Sequence, residues 1–293
     1  MRQRWDDGVA LVDEWLFAPE AAGRVRAMRL LLALLIAVRL ATGPHRGLAG
    51  QPSALFRPVW FLRWLDQMPS TEVLVTIQVL GIVAAVLAVL GWRERGTFLV
   101  AWSSLFVLAG LRASRGKVLH NDLPLLLVAG VVVLAPVGLK LLDDRRSAAW
   151  GWPVRTSLVV VSGVYVLSGL QKVISSGPAW VLSDNLRNVL YSATLTGHAP
   201  TDSVALFIAD RPWLAHLAAF AAIAIELGGV VIVLRPRARV AYLVAVTGLH
   251  VSIFLTHGLD YSMWAGTAAI VLIDWHAVFT RGISRSSPEV VVA

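Results

Sequence analysis

From the N-terminus onward, long apolar runs alternate with short polar connections, and most runs are too long for buried strands. Residues 1–26 come first and are polar, with Trp5, Leu11, Val12, Trp15, Leu16 and Phe17 scattered among the charges. This pattern predicts an amphipathic helix lying in the membrane interface and ending at Pro19; a frayed tail is the alternative. Eight apolar stretches follow, at 27–43, 73–92, 96–111, 119–139, 154–174, 212–234, 240–258 and 261–273, the last running on through Trp275 towards Phe279. A membrane helix needs about 20 mostly apolar residues, so the chain is expected to be an all-α polytopic membrane protein with about eight transmembrane helices. The expected organisation is a cytoplasmic or interfacial segment at 1–26, one transmembrane domain over 27–280 and a cytoplasmic tail at 281–293.

Two connections stand out by length, 44–70 and 175–211, and both are expected on the outer side. In the first, Phe56, Trp60 and Trp64 recur every four residues, which on a helix makes one aromatic face suited to the membrane interface. The second carries Trp180, Leu186, Leu190 and Tyr191 among Asp184, Asn185, Arg187 and Asn188. That predicts a short amphipathic helix, a candidate lid over an outward cavity.

Composition sharpens the membrane reading. With 57% hydrophobic and 15% charged residues, the chain departs from soluble domains in the direction of membrane proteins. The absence of cysteine removes disulfides, thiolate nucleophiles and Cys-ligated metals. A net charge of +8 raises the question of nucleic acid, but Lys and Arg concentrate in the connections between apolar runs. The expected partner is therefore the anionic face of a lipid bilayer, with no nucleic acid. With the N-terminus in the cytoplasm, inner segments hold about twice as many Lys and Arg as outer ones, so both termini are expected inside. No cleavable signal peptide is expected, because the first apolar run begins near Ala27, behind Asp6, Asp7, Asp13 and Glu14.

Chemistry enters with the ionisable residues inside the runs. At 156–180, TSLVVVSGVYVLSGLQKVISSGPAW, Lys172 arrives before the apolar pattern has ended. Such a cation either snorkels to the headgroups or serves as an amine in a polar pocket. Tyr165, Ser168 and Lys172 share one helical face. In the expected topology Lys172, the His120-Asn121-Asp122 turn, His250 and His257 gather in the outer half of the membrane. Asp122 before Leu-Pro also suits a helix N-terminus, and His120 can belong to that turn. His250 can serve a reaction or hydrogen-bond a neighbouring helix. Glu226 lies nearer the inner half and is expected to pair with an inward cation, while Arg29 and Arg39 stand near the two ends of their span and can snorkel. No metal site is predicted: His250 and His257 have no carboxylate at matching spacing. No serine has a nucleophile-elbow context, and there is no phosphate-binding glycine motif or internal repeat.

HNDLPLL at 120–126, YVLSGLQKVISSGPAW at 165–180 and FAPEAAGRVRAMRLLLAL at 17–34 together resemble the horizontally transferred transmembrane domain family. This is the membrane part shared with vitamin K-dependent gamma-carboxylase. The resemblance covers nearly the whole chain and implies a vitamin K-like reduced quinone as cofactor. It puts Lys172 where the carboxylase keeps the lysine that deprotonates reduced vitamin K, oxygen then generating a base that takes a proton from glutamate. It puts His120 at an active-site histidine; the polar cluster itself makes Tyr165, Ser168, His250, Trp180 and Asn121 candidates for lining the ligand pocket. An amine held out of water suits the role of base. The chain departs from the carboxylase in carrying only 281–293 after the last run, with no soluble domain, and in a shortened Asn-rich stretch before His120. A second function is therefore expected beside the first: a non-catalytic membrane partner in the maturation, export or immunity of a secreted peptide, as in the sporulation-delaying protein B type of the family. A lipid or small-molecule carrier is a third, without the inverted repeat or paired broken helices that carriers show.

Overall fold

The computed structural model describes residues 2–116 and 120–286, and these are mostly helical, with one pair of two-residue strands. In chain order come α1 (Arg2–Leu16), β1 (Glu20–Ala21), α2 (Ala22–Thr42), α3 (Thr71–Val89), α4 (Glu94–Ala113), α5 (Leu123–Leu134), β2 (Arg146–Ser147) and α6 (Ala148–Ser176). Then follow α7 (Ala179–Leu182), α8 (Asn185–Leu195), α9 (Asp202–Ala209), α10 (Pro212–Leu227), α11 (Val231–Leu234), α12 (Arg239–His257), α13 (Ser262–Leu272) and α14 (Trp275–Ser286). The chain divides into two compact units, Met1–Ser157 with Asp274–Ala293, and Leu158–Ile273.

Five helices are long and apolar enough to cross a membrane: Thr71–Val89, Glu94–Ala113, Ala148–Ser176, Pro212–Leu234 and Pro236–His257. The broken pair Ser262–Leu272 and Trp275–Arg281 makes a sixth if it counts as one span. This supports an all-α membrane protein. Two of the remaining expected spans fall short for separate reasons. At 21 residues α2 is long enough, but it carries Arg24, Arg26, Arg29 and Arg39. The run at 119–139 yields only the 12-residue α5, about 18 Å against a hydrocarbon core of about 30 Å. Pro136 cannot continue it.

In the first unit α2 is the central helix, touching α3, α4, α5 and α14. Val25, Met28, Leu32, Ile36 and Leu40 are buried along it at helical spacing. Burial on so many sides takes Arg29 and Arg39 with it, and the expectation that they snorkel does not hold. Arg29, 1% exposed, donates to Glu94 at 2.7 Å and to the carbonyls of Val132, Ala135 and Pro136 at 3.0, 2.9 and 2.9 Å. It thus caps the end of α5, whose last carbonyls have no intrahelical partner. Arg26 joins the same carboxylate at 3.0 Å and also reaches the end of α3 at Val89. Arg39 pairs with Asp122 at 2.6 Å.

Outward, α3 exposes Val73, Val79, Leu80, Val83 and Val86 while burying Gly81, Ala84, Ala85 and Ala88. A small-residue stripe inside and branched apolar residues outside is how a helix packs in lipid. At the N-terminus, β1 pairs antiparallel with β2, and the Arg155 guanidinium both donates to the Trp15 carbonyl at 2.6 Å and lies over its ring.

The connection 44–70 corrects another expectation. It forms three separate 3-10 turns, Arg46–Leu48, Ser53–Leu55 and Trp60–Leu62, with Pro58 between the last two. Phe56 points into the unit, while Trp60 and Trp64 are 76% and 75% exposed, so no common aromatic face forms. In the second unit, 175–211 folds into α7, α8 and α9 around Leu190, Ala193, Ala199, Ala205 and Ala209. This is more structure than one amphipathic helix. Tyr191 donates to Asp210 at 2.8 Å and Arg187 to the Ala209 carbonyl at 2.8 Å, tying α8 to the end of α9.

Candidate functional site

The site of the second unit is built on α6. Its end follows from Ser-Ser-Gly-Pro: Gly177 takes a left-handed φ of 55°, its N–H closes on the Val173 carbonyl at 2.8 Å, and Pro178 cannot extend the helix. The chain turns into α7, which returns the Trp180 ring to 5.6 Å from the Lys172 ammonium, a cation–π contact.

One face of α6, through Ser162, Tyr165, Ser168 and Lys172, meets α10, α12 and α13. Ser162 Oγ donates to the Gly229 carbonyl at 2.9 Å. Gly229 allows this close approach: a Cβ would stand 3.1 Å from both the Ser162 carbonyl and the Tyr165 Cβ, tighter than ordinary contact. Further along, Ser168 Oγ donates to Glu226 Oε1 at 3.3 Å, and Lys172 Nζ forms an ion pair with the same oxygen. The Lys172 side chain retains 22% exposure and that of Glu226 10%. Glu226 Oε2 is buried without a hydrogen-bond partner. Glu226 is therefore the counter-ion of Lys172, and the expectation that it pairs with an inward cation is overturned.

The error has a physical cause. Depth counted from the start of the 212–234 run places Glu226 deep, on the assumption that every run begins at one level. α10 packs beside α7, α8 and α9, and Glu226, near its C-terminal end, meets Ser168 and Lys172 of α6. A signal was available in the charges: Lys172 is the one Lys or Arg within the apolar runs 154–174 and 212–234 apart from Arg155 at the margin. A carboxylate inside an apolar run needs such a partner.

Around the ion pair lies an aromatic group. Tyr165 Oη and His250 Nε2 are hydrogen-bonded at 3.0 Å, joining α6 to α12. The His250 ring stacks on Tyr261 at 5.3 Å and meets Trp264 edge-on at 5.8 Å; Tyr165 meets Tyr242 and Trp264 at 5.9 and 5.3 Å. Glu226 is within electrostatic reach of Tyr165, Tyr242 and Tyr261. Tyr242 Oη donates to the Ile225 carbonyl at 3.1 Å, steadying α10 where it tightens into a 3-10 turn at Gly228–Val230. His250 Nδ1 is buried and has no partner. Sequence patterning places Tyr261, with Asp260, in the turn into the last run beside the outer polar groups, but gives no signal for Tyr242 and Trp264, whose aromatic spacing is that of ordinary membrane helices.

Lys172, Ser168 and Trp180 are thus brought together, as are Tyr165 and His250. His257 turns aside, its Nδ1 2.6 Å from Thr256 Oγ1. His120 and Asn121 belong to the first unit, in the turn before α5, with His120 exposed and Asn121 half-buried. Asp122 stands at the N-cap position of α5 without a side-chain capping bond; its carboxylate serves Arg39 and Arg112 instead. Among the described residues no group of three or more His, Asp or Glu is placed to hold a metal ion.

Chemically, an ammonium and a carboxylate share one proton-bearing contact while a second carboxylate oxygen and an imidazole nitrogen stay unsatisfied. Such a set can accept a hydrogen bond or proton from a bound hydroxyl and pass charge within the pair. Compared with family models, curated proteins and solved structures, the chain finds no match.

Proposed function

We propose that the chain is a multi-pass membrane protein whose Lys172–Glu226 pair forms an acid–base site for a lipid-soluble, hydroxyl-bearing ligand of the reduced-quinone class. The observation that carries this reading is the half-used carboxylate: Lys172 and Ser168 occupy Glu226 Oε1, and buried Oε2 has no partner. An unsatisfied buried acceptor is costly, and a ligand hydroxyl would satisfy it. The residues fit a quinol in kind. Glu226 Oε2 would accept from its hydroxyl, and Trp180, Tyr261 and Trp264 offer apolar ring surface beside the polar groups. When bound, such a group supplies an acidic hydroxyl and reducing equivalents. Within the chain, Lys172 holds Glu226 oriented, and transfer of the Nζ proton to Oε1 leaves a neutral amine as base. Tyr165 and His250 form the adjoining proton route. His120 belongs to this reading through the family resemblance alone. The topology that goes with it has both termini in the cytoplasm and the site in the outer half of the bilayer.

The test is quinone retention. The full chain is purified in nanodiscs, and bound menaquinone is extracted and quantified for the native protein, Lys172→Ala and Glu226→Gln. Loss of a charge-assisted hydrogen bond, about 1.5–3 kcal/mol, should lower retention roughly ten- to hundredfold. Native retention in variants that reach the membrane in normal amount and elute as the native protein contradicts the site.

A second reading, partnership in the maturation, export or immunity of a secreted peptide, is favoured by the 175–211 segment. It has a core of its own yet exposes Leu182, Leu195 and Phe207. Under that reading Phe207→Asp abolishes the biological effect while Lys172→Ala leaves it intact; the reverse outcome favours the enzyme.

A further inference from the structure

The first unit holds a second constellation at the end where α2 and α4 finish and α5 begins. Arg39 Nε donates to Asp122 Oδ1 at 2.6 Å and its Nη2 to Oδ2 at 3.4 Å, while Arg112 pairs with Oδ2. All three residues are buried. Two guanidiniums therefore share one carboxylate, and among the described residues neither pairs with a second acid. One positive charge is left over in a place where an uncompensated charge is expensive.

Unsatisfied donors accompany it. Arg112 Nε is buried without a partner; His45, 1% exposed, packs on the turn at the end of α2 with its ring towards the Arg39 carbonyl, and neither ring nitrogen closes a hydrogen bond of good geometry. His45 lies within electrostatic reach of Arg39 and Asp122. Burial, and then the Arg39 charge, pushes its imidazole below the ordinary value. Near neutral pH the ring thus offers one N–H and one lone pair. The N-terminus of the 12-residue α5 points its positive end at the same place. Water could satisfy the N–H groups but would leave the charge. An anion does both.

We infer that Arg39, Arg112 and His45 form a binding site for a phosphate-type oxyanion, held beside Asp122 at one end of the first unit. The chemistry is that of a phosphodiester headgroup or of free phosphate: forked guanidiniums match its oxygens, and the His45 N–H supplies a further donor. Ala41 and Thr42, in the α2 turn beyond Arg39, are exposed, so the cluster sits near a helix end, the level at which lipid phosphates lie.

The experiment is thermal unfolding of the full chain in three settings: phosphatidylcholine vesicles, phosphatidylcholine with phosphatidylglycerol, and phosphatidylcholine with inorganic phosphate matched for ionic strength by chloride. The native protein should gain several degrees with at least one anion. A gain from phosphatidylglycerol alone identifies the headgroup as the source; a gain from inorganic phosphate identifies the free anion. Arg112→Lys, which keeps the charge but loses Nε–H, and His45→Gln should each lose most of the gain. In native mass spectrometry they should weaken a retained one-to-one phospholipid or phosphate adduct about tenfold. No gain in the native protein with either anion, or the full gain in both variants, overturns the site.

Discussion

Arg29 is the most deeply buried charge described, and its neutralisation is shared with Arg26 through one carboxylate, Glu94. Removing that carboxylate strands a cation that has no route to water. Glu94→Gln should cost about 3–5 kcal/mol, read as a lowered midpoint of SDS unfolding in mixed micelles. A midpoint within about 0.5 kcal/mol of the native protein would mean that Arg29 is satisfied by carbonyls alone. Sequence patterning located Arg29, Arg39, Lys172 and Glu226 inside apolar runs but not their partners. A single helix viewed alone has lipid on every side, so its arginines are expected to snorkel. Once α2 is surrounded, an arginine on it must find a counter-ion, and that depends on which helices touch, a long-range property. The shared face of Tyr165, Ser168 and Lys172 is legible in the sequence, because three- and four-residue spacing on one helix is local.

Helices differed in how far their apolar pattern could be trusted. The run at 73–92 is uncharged and becomes α3, whereas the run at 119–139 contains Pro124 and Pro136 and shrinks to α5. Proline at the first turn is compatible with a helix and proline at the end stops it, so the two prolines bracket α5. The aromatic repeat Phe56, Trp60, Trp64 misled for a related reason: spacing implies a face only if the backbone stays helical, and 3-10 turns around Pro58 break it. Between α6 and α10 the close approach depends on Gly229. Gly229→Ala should destabilise by about 1–3 kcal/mol, because the Ser162 carbonyl and Tyr165 Cβ have to give way. Thermal unfolding measures this, and an unchanged midpoint would show that the helices are free to separate.

Membrane topology is open to a clean test because the chain has no cysteine. Single cysteines at Ser53 and Ser183, both exposed, should react with a membrane-impermeant maleimide applied to intact cells. One at Arg237, also exposed, should react only after permeabilisation. The opposite pattern would invert the site and place Lys172 near the inner face. Helical membrane character was readable from run length and composition, since both are averages over many residues. The proposed function rests on a few polar contacts between helices, and no average carries those. Whether the Lys172–Glu226 pair is a site or only a clasp is decided by the double variant Lys172→Met with Glu226→Gln, which removes both charges together. Deleting both members of a buried pair should leave stability near native, unlike either single change. The protein should then melt normally in nanodiscs yet retain at least about tenfold less menaquinone. A normally melting double variant with native quinone content would reduce the pair to a structural clasp.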